Sequence, residues 1–122
     1  MRGVREDKAR EHRIDMEVIV DACDETERAM GWYCYLQDKL TFPFKARCVS
    51  KRSISPLCAG ESVEAVRMAP ESECEREMFV MVRWRKQVLA VPLAQLVGVD
   101  VDDETELAIG DWHYWTERGY RF

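Results

Sequence analysis

Four groups of acidic residues stand where ordinary folding gives a carboxylate little to do: Asp21, Asp38, Glu71 with Glu73, and Asp100 with Asp102 and Asp103. Carboxylates and free carbonyl oxygens are the ligands of calcium, which takes roughly six to eight of them. Asp38 is the most pointed case, because the pattern around it places it in the last turn of a helix. A negative side chain is mildly unfavourable there, by roughly 0.3–1 kcal/mol at an exposed site, and a hard cation reverses the sign. Asp21 would end a helix in the same awkward way, with a simple turn acid as its plain alternative. Solvation, or pairing with Lys39 or Arg47, is the plain alternative for Asp38. No group follows the EF-hand order: Asp100-Val101-Asp102-Asp103-Glu104 lacks the central glycine and the spacing.

Other chemistries find less support. There is no Ser-His-Asp order, no phosphate-cradling glycine loop and no His-Glu-x-x-His, so the chain does not read as an enzyme. His12 and His113 are the only histidines and lie far apart. The five cysteines (Cys23, Cys34, Cys48, Cys58, Cys74) are odd in number and form no Cys-x-x-Cys pair. They read as small buried hydrophobes of a reducing compartment, not as a zinc site or disulfide frame. A net charge of −5 argues against nucleic-acid affinity and suits attraction of cations. No apolar run approaches a membrane span, and the polar start Met1-Arg2-Gly3-Val4-Arg5 is unlike a secretion signal, so a cytoplasmic protein is expected.

The elements that must position these acids are organised around Gly31 to Phe44, which holds five of the twelve aromatic residues. Ala29, Trp32, Leu36 and Leu40 recur at helical spacing, and Pro43 ends the pattern. Upstream, Arg5 to Val20 favours a helix, although Ile14, Met16, Val18 and Val20 also alternate as a strand would. Asp24 followed by Glu27 has capping-box spacing and predicts the start of the second helix, so Asp24 is read as a cap and not a ligand. Downstream, 44–49, 62–68, 78–84, 87–92 and 97–99 alternate like short strands, with one tight helical turn over 93–96. Asp103 with Glu106 predicts a last helix over 102–116 whose indoles pack on the first pair.

The expectation is therefore α+β: a small SH3-like antiparallel β-barrel (44–99) flanked by two N-terminal helices (5–40) and one C-terminal helix (102–116), in a single domain of residues 1–122. That architecture carries no function by itself. A protein-interaction module without a metal, gripping a partner through Arg83, Trp84, Arg85 and Lys86, fits it equally.

A resemblance favours the metal reading. The segments Asp21-Ala22-Cys23, Glu27-Arg28-Ala29-Met30-Gly31-Trp32-Tyr33, Tyr35-Leu36, Asp38-Lys39-Leu40, Phe42-Pro43-Phe44, Ser55-Pro56-Leu57, Val91-Pro92-Leu93 and Asp111-Trp112-His113-Tyr114-Trp115, in that order, resemble the calcium-binding family typified by cyanobacterial CcbP. The likeness runs from Arg13 to Trp115. It implies a small acidic protein that binds Ca2+ without an EF-hand, in buffering or signalling, with Asp38 inside the matched central motif. Glu71, Glu73, Asp100, Asp102 and Asp103 are candidates from charge alone.

Overall fold

The computed structural model describes residues 6–120. Asp7 caps helix α1 (Lys8–Arg13), its carboxylate accepting from the Arg10 amide at 3.0 Å. The expected start at residue 5 lies outside the described residues. The helix then widens into a π-helical turn, Ile14–Val18, in which the Ile19 amide reaches back to the Ile14 carbonyl at 3.0 Å. Ile14 and Val18 are buried while Met16 and Val20 are exposed, so helical spacing wins over the strand alternation.

Asp21 turns the chain with a φ of 63°, a left-handed value that aspartate tolerates better than most residues. Helix α2 (Glu25–Lys39) starts as the spacing predicts: the Asp24 carboxylate accepts from the Glu27 amide at 2.9 Å. The Glu27 carboxylate in turn accepts from the Cys23 amide at 2.6 Å. Gly31 lies where α2 crosses the π-helical turn. A Cβ there would overlap the Val18 carbonyl, so only glycine allows this approach.

Five strands follow: β1 (Phe44–Cys48), β2 (Ser62–Met68), β3 (Phe79–Trp84), β4 (Gln87–Pro92) and β5 (Leu96–Gly98). All pairings are antiparallel, in the order β4-β3-β2-β1-β5, with a register shift in β2 between Ala65 and Arg67. A 3₁₀ turn, Leu93–Gln95, carries the chain from one edge strand to the other. Laid flat, four strand spacings would span about 19 Å, and three residues rising about 2 Å each cannot bridge that. The sheet therefore curls. Among the described residues the strands form a five-stranded antiparallel sheet, and no β4–β5 ladder closes it into a barrel.

Helix α3 (Asp103–Glu117) is capped by Asp102, not Asp103: the Asp102 carboxylate accepts from the Thr105 amide at 2.7 Å. The expected cap was one residue late: Asp103 alone has a glutamate three positions on, but it is the Asp102 carboxylate that reaches a free amide. As expected, α3 brings its indoles to the first helices. Trp32 is fully buried with its ring 5.0 Å from Trp112 and 5.5 Å from Trp115, at edge or tilted angles worth roughly 0.5–1.5 kcal/mol per pair beyond area burial. The cysteines depart from expectation, since Cys48 and Cys74 are buried but Cys23, Cys34 and Cys58 are exposed. Cys34 lies on an exposed face of α2, and Cys23 and Cys58 lie in exposed loop positions.

Candidate metal centre

Asp38 occupies the last turn of α2 with its side chain 77% exposed. The cation beside it is Lys39, not Arg47, and only at 3.9 Å from Nζ to Oδ2, too long for a good hydrogen bond. On one side Asp38 lines a shallow cavity of about 410 Å³ together with Glu17, Cys34, Tyr35 and Lys39. Glu17 enters this cavity from the π-helical turn. On the other side Lys39 also reaches Glu104 of α3, at 3.6 Å.

The end of α2 and the start of α3 are tied together. The Thr41 amide donates to the Thr105 hydroxyl at 2.9 Å. Asp102 is held below the usual carboxylate range by the Thr105 amide, then by the hydroxyls of Thr41 and Thr105. Asp103 and Glu104 are exposed in the first turn of α3, and Asp100, with a φ of 55°, is exposed just before it. The fold thus brings the neighbourhood of Asp38 and that of Asp100, Asp102 and Asp103 to one end of the helical pair.

The remaining candidates lie elsewhere. Asp21 is exposed in the turn after the π-helical segment. Glu71 and Glu73 are exposed on a 3₁₀ turn, Glu71–Glu73, and Glu71 lines a separate groove against the first half of α2. Among the described residues no three acid, histidine or cysteine side chains come close enough to form a metal cage.

Two acids outside the sequence candidates matter. Glu17 carries no signal beyond its place four residues after Arg13, because nothing in the sequence announces a π-helical turn. Asp111 reads in sequence only as part of an aromatic helix, yet it is completely buried. Its oxygens accept from Arg10 Nη1 at 2.8 Å, Arg13 Nη2 and Nε at 2.7 and 2.9 Å, and Tyr35 Oη at 2.7 Å. That saturated carboxylate joins α1, α2 and α3 and is no metal ligand. The interaction residues expected on β3 and its turn are mostly engaged with their neighbours. Arg85 stacks over Trp84 at 4.3 Å, Trp84 Nε1 donates to Glu61 at 3.1 Å, and Arg83 pairs with Glu64 at 3.0 Å.

A protein-family model of the CcbP type, described as calcium binding, matches residues 12–116. The chain belongs to the CcbP family of calcium-binding proteins. A crystal structure of Anabaena CcbP is 46% identical over the whole of both chains and superposes with a TM-score of 0.88. A second structure, of a calcium-binding protein in its calcium-binding form, is 44% identical, again over the whole of both chains, with a TM-score of 0.87. No curated protein matches this chain.

The donor chemistry of this CcbP-family chain fits a hard cation. The open end of α2 offers carboxylate oxygens beside the last turn of a helix, whose final carbonyls lack intrahelical donors.

Proposed function

We propose that this chain binds Ca2+ at the end of α2, with Asp38 as principal ligand and Glu17 as the second carboxylate across the shared cavity. The observation that carries the reading is the exposed Asp38 carboxylate, placed in an open cavity beside a second acid and held by nothing stronger than a 3.9 Å contact to Lys39. Binding would pull Lys39 toward Glu104, already 3.6 Å from its ammonium, which removes the competing charge. Two carboxylates leave most of the coordination to main-chain oxygens and water, so affinity falls in the weaker part of the micromolar to millimolar range. Such an open, rapidly exchanging site suits buffering or signalling and not permanent structural binding, and this reading makes the chain a binding protein and not an enzyme.

Asp100, Asp102 and Asp103 take a supporting role, as a nearby negative field that raises the local cation concentration. Asp21, Glu71 and Glu73 are too dispersed to share that ion. The SH3-like character of the curled sheet serves as a platform under the helices. Calorimetric titration tests the reading: the native chain should give saturable heat with Ca2+. Asp38→Asn should weaken binding at least tenfold, Glu17→Gln by a smaller factor, and Glu73→Gln should leave it unchanged. Absence of heat at millimolar Ca2+ rejects the proposal.

A further inference from the structure

A concavity of about 1240 Å³ lies away from Asp38, between the first half of α2, the last turns of α3 and the acidic segment before β3. Met30, Tyr33 and Tyr120 line it, with the buried Trp112 and Trp115 beneath them. Met30, 38% exposed, gives the groove an accessible apolar side chain. The rim is acidic. Arg52 and Glu77 cancel each other through two hydrogen bonds of 2.9 Å, which leaves Glu25, Glu71 and Glu75 facing the single guanidinium of Arg76.

We propose that this groove receives an amphipathic helical segment of a partner protein that carries lysine or arginine beside an apolar face. Size and composition separate this occupant from others. The volume exceeds the roughly 300–1,000 Å³ of ordinary small-molecule pockets. The walls are helices, a 3₁₀ turn and irregular loop, not a sheet edge, so strand addition is not on offer and side chains must carry recognition. A helix laid on Met30 and the aromatic floor would bury its apolar face while its cationic side chains reach Glu25, Glu71 and Glu75. An acidic segment would meet like charge on the rim, and nucleic acid would be repelled. The inference is independent of the calcium reading, since it uses none of the residues placed at the end of α2.

The test is methyl and indole NMR of the full chain in EGTA, titrated with a helical peptide of lysine and leucine and with its glutamate–leucine counterpart. The lysine peptide should shift the Met30 methyl and the Trp112 and Trp115 indole signals, saturably, and leave the exposed Met16 methyl unmoved. The glutamate peptide should shift none of them. Glu71→Gln combined with Glu75→Gln, both exposed positions, should weaken the lysine peptide about tenfold at low salt, and Met30→Ser should weaken it further. Equal shifts from both peptides, shifts centred on Met16, or unchanged affinity in the double variant would overturn the proposal. Because EGTA is present throughout, failure of peptide binding leaves the calcium reading untouched, and failure of calcium binding leaves the peptide result standing.

Discussion

Arg13 closes on Asp111 through two hydrogen bonds, Nε to Oδ2 at 2.9 Å and Nη2 to Oδ1 at 2.7 Å, and Asp111 has no exposed surface at all. The ion pair joins the first helix to the last, 98 residues apart in sequence. Asp111 holds the Arg13 guanidinium well above its ordinary range, chiefly by hydrogen bonding. With Arg10 and Tyr35 also donating, the carboxylate is the polar pin through the helical layer.

Breaking the pin from the acid side should be costly. Asp111→Asn leaves two guanidiniums facing a neutral amide, and removal of one partner from a buried pair typically costs about 3–5 kcal/mol. Urea unfolding should register that loss. Replacing the whole group, by Arg10→Met, Arg13→Met, Tyr35→Phe and Asp111→Leu together, should cost less than Asp111→Asn alone, since a buried ionic group and a well-packed apolar one can be nearly equal. A single-variant loss below about 1 kcal/mol would mean that water enters and solvates the site.

The contrast between Asp24 and Asp111 explains what the sequence disclosed. A cap is a local device, read from a residue and its neighbours three positions away, so Asp24 and the start of α2 were legible. Strand alternation located all five strands to within about two residues for the same reason. Asp111 depends on partners 76 to 101 residues away, and Glu17 depends on a π-helical turn, so neither had a local signature. The Asp38 candidate came partly from its helix-end position and partly from family resemblance, while the gathering of α2 and α3 ends around it is tertiary and invisible to periodicity. Closure of the sheet was likewise beyond reach, because strand lengths do not say whether the edges pair.

Alkaline pH should weaken the fold through Tyr35. Burial, then hydrogen bonding and charge from Asp111, push its phenol far above the ordinary value, and burial also pushes Tyr33 and Tyr114 up. In the unfolded chain these phenols ionise near pH ~10. The folded state then binds more protons than the unfolded one, so stability is fully present below about pH 10 and falls as pH rises beyond it. Phenolate absorbance in the near ultraviolet should lag behind that of the urea-unfolded chain and catch up only with loss of the aromatic circular dichroism. Coincident titration of folded and unfolded chains would contradict this.

Gly31 sets the approach of α2 to the π-helical turn, and substitution there should reveal it. In an exposed helix, alanine in place of glycine gains about 1 kcal/mol. Here the added methyl overlaps the Val18 carbonyl, which is backbone and cannot swing away, so overpacking of roughly 1–3 kcal/mol should win. Gly31→Ala should therefore lower the urea midpoint. Gly110→Ala should also lower the midpoint: its methyl would meet Arg10 Nη1 at 2.8 Å, and that nitrogen is held by its hydrogen bond to the buried Asp111.

Calcium should stabilise the fold without being needed for it. The proposed ligands Asp38 and Glu17 are both exposed, and neither belongs to the buried cluster around Trp32 and Trp112, so EGTA should leave the helical circular dichroism intact. A ligand that binds only the folded state contributes about 2.7 kcal/mol at a hundredfold excess over Kd, which for a chain of this length raises Tm by roughly 10 °C. Magnesium, which demands a tighter octahedral shell and gives up water reluctantly, should raise Tm far less at the same concentration. Scanning calorimetry of the native chain and of Asp38→Asn separates the possibilities. A rise with Ca2+ that persists in Asp38→Asn would move the ion away from the end of α2. A rise equal for the two metals would reduce the effect to general screening of a negatively charged surface.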